Sequence, residues 1–122
     1  MTMPIALSDI TIHPIIEQQG AWFDALGFFP ALTKEVFDEN RSWLQPAFLD
    51  PADKLVFCIQ SFVIKTPHHN ILVDACVGNH KPRPTRPFWN MLNSDRFEKG
   101  LAAAGLTVND IDYVMCTHLH TD

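Results

Sequence analysis

Apolar and polar residues alternate from Ser8 to Glu17, where SDITIHPIIE sets Ile10 and Ile12 on one side, and this period of two predicts a first strand. Pro14 has no N–H to give to a ladder, so it restricts that strand to an edge or a bulge. Residues 20–50 are aromatic and irregular, with Trp22, Phe23, Phe28 and Phe29 close together. Within them, ALTKEVFDENRSWL repeats apolar residues near helical spacing at Leu32, Val36, Phe37 and Trp43, and Pro30 and Pro46 bound the predicted helix.

The second half is more regular. LVFCIQSFVIKT, Leu55 to Thr66, is rich in β-branched and aromatic residues, and after the turn Pro67-His68-His69-Asn70 it is answered by ILVDACV, a hairpin pattern. Asp74 follows Ile71, Leu72 and Val73 at the end of a nearly continuous apolar strand. A carboxylate there must be hydrogen-bonded, charge-paired or near a metal, because burying it alone costs several kcal/mol. Residues 88–104 predict a helix: Asp95 and Glu98 have capping-box spacing, Phe97, Leu101 and Ala104 fall on one face, and Gly105 stops it. Thr107 to Ile111 reads as one capped turn, and the apolar strand from Asp112 to Thr117 runs into His118-Leu119-His120-Thr121-Asp122. Strand, helix, strand over 71–117 is a crossover pattern, in which functional residues collect beyond the carboxyl ends of the strands. Asp74 and the His118 to Asp122 run both occupy that position.

Composition narrows the function classes. The chain has 122 residues, 47% hydrophobic and 19% charged, which fits a soluble globular unit rather than a disordered tail. Nine Lys and Arg against fourteen Asp and Glu give a net charge of −5, which argues against a nucleic-acid partner. The cationic stretch Lys81, Arg83 and Arg86, interleaved with prolines, reads as a stiff solvated loop. Cys58, Cys76 and Cys116 are odd in number, lie in apolar runs and form no C-x-x-C, so they read as buried thiols in a reducing compartment. With no basic leader and no apolar run long enough to span a bilayer, the expectation is a cytoplasmic protein without a membrane partner.

The chemistry concentrates at the end of the sequence. In extended backbone residues i and i+2 project to the same side, so the imidazoles of His118 and His120 can converge on one ion, and Asp122 continues the same parity. His13, His68, His69 and His80 have no comparably spaced partner and read as solvated or hydrogen-bonded.

THLHTD after an apolar strand, with ILVDACVGN upstream, resembles the metallo-β-lactamase-fold hydrolases, whose signature is T-H-x-H-x-D-H. The resemblance covers about residues 55–122, with 1–54 a plausible lead-in. It implies an α/β fold, the N-terminal half of a four-layered αβ/βα sandwich with a mixed sheet and flanking helices, so that residues 1–122 form an incomplete part of a single domain. It implies that His118 and His120 ligate a first metal and Asp122 a second, that Asp122 also relays a proton, and that Asp74 orients ligands without touching the ion. The implied cofactor is zinc, two ions per intact domain, with other divalent transition metals as substitutes. The implied reaction is hydrolysis by a metal-activated hydroxide.

Two departures qualify this expectation. The histidine that follows the motif in the family would be residue 123 and the later ligands lie beyond it, so the chain alone is expected to be inactive and poorly stable, with an exposed sheet edge. Ala75 and Cys76 stand where the family often has a glycine soon after the aspartate, a subfamily mark. The aromatic lead-in and the GNHKPRPTRPFW loop look like the lactonase and organophosphate-hydrolase branch more than the antibiotic-degrading one, and small lactones such as N-acyl homoserine lactones, or other ester-like molecules, are the leading substrates. Phe28, Phe29, Trp22 and Trp89 are candidates for an acyl pocket, although such aromatics are usually core. The alternatives are an organophosphate or β-lactam hydrolase of the same fold, an amidohydrolase barrel, and a non-catalytic truncated module that pairs through its open edge. A homo-oligomer is compatible with all of them.

Overall fold

A computed structural model describes residues 3–122. It contains one five-stranded sheet in the order β1-β2-β3-β4-β5, with β1 at Ile5–Leu7, β2 at Ile10–Asp24, β3 at Lys54–Lys65, β4 at Asn70–Val73 and β5 at Tyr113–Met115. Three helices accompany it, α1 at Ala25–Phe28, α2 at Lys34–Leu44 and α3 at Arg96–Ala103. The β1–β2 and β3–β4 pairs are antiparallel and β4–β5 is parallel, so the sheet is mixed as expected. The chain divides into two compact units, one of residues up to Gln18 with Ile59–Asp122 and the other of Gln19–Cys58. No helix among the described residues is long and apolar enough to cross a membrane.

In the first unit, β2 lies inside the sheet rather than at its edge. The β1 register nevertheless ends at the Ile5–Ile12 pair, so Pro14 falls past the end of that ladder, where a missing N–H costs little. Thr66 closes the β3–β4 turn, its hydroxyl accepting from the N–H groups of His68 and His69 at 3.2 and 2.9 Å. Ile15, Val63, Leu72 and Leu101 form the core, with Phe97, Leu106 and Ile111 packed against them. Gly100 lets α3 approach β2 closely, since a Cβ there would stand 2.6 Å from Ile15 Cγ2.

The helix predicted over 88–104 begins only at Arg96. The preceding residues have committed their backbone elsewhere: His80 N–H donates to Leu92 O at 2.8 Å, Met91 N–H to Lys81 O at 2.9 Å, and Asn79 bonds Ser94 in both directions. Asp95 does not cap the helix and instead pairs with Lys99 at 2.7 Å. The capping box is found at Thr107 and Asp110, around the 3-10 turn Val108–Asp110. The predicted inward face survives, with Leu101 and Ala104 buried. β5 is an edge strand, and Tyr113, Val114 and Met115 are all more than half exposed.

In the second unit, Asp24 caps α1 by accepting from Gly27 N–H at 2.8 Å, and Thr33 caps α2 by accepting from Val36 N–H at 3.3 Å. Ala25, Phe37 and Leu49 are its buried centre. Of the predicted α2 face, Phe37 is buried while Val36 and Trp43 are exposed. Phe28 packs its ring against Phe23, Phe29 and Phe57.

Candidate metal centre

The two strand ends singled out in the sequence meet. β4 stops at Val73, short of the predicted Val77, because Asp74 and Cys76 take left-handed backbone with φ of 57° and 56°. Aspartate is among the residues that tolerate this region. Asp74 N–H donates to Met115 O at 2.8 Å, which ties the end of β4 to the end of β5. The Asp74 carboxylate accepts from Thr117 N–H at 2.8 Å and from the Thr117 hydroxyl at 2.6 Å. These bonds, the hydroxyl first, hold the Asp74 carboxyl below its ordinary pKa.

The Thr117 hydroxyl also lies 3.0 Å from His118 Nδ1. An ionised carboxylate can only accept, so the single hydroxyl proton goes to Asp74 and the oxygen must accept from a protonated Nδ1. His118 then presents Nε2 as a free lone pair, the form a metal ligand needs.

His118 and His120 bring their ring centroids to 4.8 Å, while Leu119 between them is 94% exposed. The ligating atoms of His118, His120 and Asp122 all lie within 4.8 Å of one another. Two donors on one tetrahedral zinc stand about 3.4 Å apart, so the widest pair in the cluster would close by about an ångström, within the reach of side-chain rotation, to share an ion. Imidazole nitrogen and carboxylate oxygen are both ordinary zinc donors. The residues present therefore fit the metal.

Sequence reasoning missed the support beneath this site. Glu17, only 2% exposed, accepts from Val77 N–H at 2.8 Å and Gly78 N–H at 3.0 Å, which fixes the turn that follows Asp74. The signal was available, because alternation on β2 puts Glu17 on the same inward side as Ile15. Ser61, fully buried on β3, meets Cys76 Sγ at 2.9 Å. Burial raises the Cys76 thiol to about 11. Cys58 and Cys116, expected to be buried, are exposed.

The Pro-rich loop is not uniformly solvated. Arg83 is half-buried, donating from Nη2 to Val77 O at 3.1 Å, and its own N–H reaches Asn90 Oδ1 at 2.8 Å. Arg86 and Trp89 face an open cleft of about 410 Å³ shared with His120, Thr121 and Asp122. The remaining histidines behave as expected: His13 Nε2 bonds Thr11 Oγ1 at 3.0 Å, and His68, His69 and His80 are exposed.

Residues 59–122, just over half of the chain, match the Metallo-beta-lactamase superfamily. The chain belongs to that superfamily. Solved structures with the same fold include a probable metal-dependent hydrolase from Staphylococcus aureus, at 24% identity and TM-score 0.69, which covers 97% of this chain and 40% of that one. The hydrolase AbOPH, in the beta lactamase superfamily, shares 18% identity with TM-score 0.69 and covers 98% of this chain and 36% of that one. AidC, a dizinc quorum-quenching lactonase in complex with a homoserine product, shares 19% identity with TM-score 0.71, again over 98% and 36%. The chain thus spans between a third and a half of the length of these structures. No curated protein matches it.

Proposed function

We propose that the chain carries the metal-ligand cluster of a zinc-dependent hydrolase acting on lactones or other ester-like small molecules, and that residues 1–122 are the N-terminal part of its single domain. The observation that carries this reading is the convergence of His118, His120 and Asp122 past β5, with His118 held in its ligating tautomer by Asp74 through Thr117. Superfamily membership and a lactonase among the similar structures support the substrate class. Alignment of nearly the whole chain onto 36–40% of those structures supports the domain assignment.

In this reading His118 and His120 each donate one ring nitrogen, and Asp122 donates a carboxylate oxygen and accepts a proton during the reaction. A zinc ion held by these residues would supply Lewis acidity and lower the pKa of water toward neutrality. Asp74 touches neither ion nor substrate and acts by orienting His118. Zinc content measured on the purified chain and on His118→Ala and His120→Ala tests the proposal. Uptake by the parent that is lost in both variants is expected, and unchanged zinc content in them would overturn it. N-acyl homoserine lactone opening by the zinc-loaded full-length protein, followed by acid release, tests the substrate class.

A further inference from the structure

The Pro-rich loop contains one feature that metal binding leaves unused. Arg83 is anchored, but Arg86 is exposed, and its side chain makes only a 3.5 Å contact with the adjacent Thr85 carbonyl, at the limit of a hydrogen bond. No carboxylate among the described residues pairs with it. Trp89 N–H donates to Arg86 O at 2.9 Å, a turn that directs both side chains to the cleft holding His120 and Asp122. Trp89 Nε1 is buried and has no acceptor among the described residues, a state that costs about 1–3 kcal/mol. An unpaired guanidinium and the Trp89 ring thus border one cleft beside His120 and Asp122.

We infer that Arg86 and Trp89 form a subsite for an oxyanion, a carboxylate or phosphate carried by a small molecule that enters this cleft. A guanidinium can give two parallel N–H bonds to such a group. The Trp89 ring adds an apolar face for the stem of the ligand, and its buried Nε1–H reports binding through the change in the ring's surroundings. Asp122 is the one carboxylate lining the cleft, and its charge is offset when it ligates a cation. The net charge of −5 works against anion capture in general, so recognition here depends on this local pair. The purpose of the subsite rests on the hydrolase reading, in which a group held by Arg86 fixes where the reacting bond lies relative to His120 and Asp122.

The test is a nuclear magnetic resonance titration of the isotope-labelled, metal-free chain carrying Asp122→Asn, so that no anion can ligate zinc and no uncompensated carboxylate lines the cleft. The Trp89 indole N–H signal, assigned by its loss in Trp89→Phe, is followed as sodium acetate, inorganic phosphate or neutral acetamide is added. A saturable shift with either anion is expected, and the more effective one names the ligand's chemistry. Binding should weaken at least about tenfold in Arg86→Gln and stay unchanged in Lys81→Gln. No shift, a shift that survives Arg86→Gln, or an equal response to acetamide would overturn the inference. Zinc uptake by the full-length protein with Asp122 intact separates the two readings: anion binding without zinc uptake leaves the subsite standing and removes the hydrolase, and zinc uptake without the shift does the reverse.

Discussion

Asp74 sets the tautomer of His118 without touching it, because the single proton of the Thr117 hydroxyl is taken by the carboxylate at 2.6 Å and the oxygen can only accept from His118 Nδ1 at 3.0 Å. The arrangement also fixes the plane of the ring at the end of β5. Removing the hydroxyl while keeping the side-chain volume isolates this effect. Thr117→Val should weaken zinc binding by about 10–100-fold, and Thr117→Ser should retain most of it. Competition with a chromophoric chelator measures both, and equal affinity in all three proteins would show that the relay does not matter.

Glu17 and Arg83 hold Val77 from the two ends of the residue, Glu17 accepting from its N–H and Arg83 donating to its C=O. Glu17 is the buried partner, so its loss strands donors that water cannot reach. Glu17→Gln keeps one acceptor oxygen but turns an amide NH₂ toward a backbone N–H, and should lower stability by about 1–3 kcal/mol. Glu17→Ala leaves both N–H groups unmet and should cost more. Urea unfolding measures the loss, with the exposed Glu98→Gln expected to change stability by less than about 0.5 kcal/mol.

Which parts of this were legible follows from the range of the interactions. Period-two alternation and the i, i+2 parity of His118, His120 and Asp122 are local, so the strands and the convergence of these three side chains could be read directly. The inward face of α3 was legible for the same reason, through Phe97, Leu101 and Ala104. Its start was not, because the Asn79–Ser94 and His80–Leu92 bonds that displace helix from 88–94 join residues 12 to 15 positions apart. The Glu17 clamp spans 60 residues, and no local pattern names Val77 as its partner. Asp74 sits between these cases: its need for a partner was evident from the apolar strand before it, but Thr117 became that partner only through the parallel β4–β5 pairing.

Cys76 gives the chain a pH dependence at the alkaline end. Burial first, then the carboxylates of Glu17 and Asp122, raise its thiol to about 11, while the Ser61 hydrogen bond pulls the other way. The unfolded chain loses this proton near the ordinary thiol value of 9, whereas the folded chain keeps it. Between the two values the folded state binds more protons, so stability falls as pH rises from about 9 to 11. The urea midpoint should therefore drop over that window in the parent, and drop less in Cys76→Ala. Parallel pH profiles for the two proteins would remove Cys76 as the cause. Iodoacetamide at pH 8 should label Cys116 well before Cys76.

Gly100 reverses the usual expectation for a helical glycine. Replacing glycine by alanine inside a helix normally stabilises by up to about 1 kcal/mol, but a methyl at Gly100 would meet Ile15 Cγ2 at 2.6 Å and Cβ at 3.2 Å. Ile15 is fully buried in the core of its unit and has no room to withdraw. Gly100→Ala should therefore destabilise by about 1–3 kcal/mol. Ile15→Ala also destabilises, by leaving a cavity worth about 2–5 kcal/mol, yet it frees the space the new methyl needs. The double variant should then be more stable than the sum of the single losses allows, with a coupling of at least about 1 kcal/mol in a double-mutant cycle. Additive losses would mean that α3 moves away from β2 as a unit and that the close approach at Gly100 is not what positions the helix.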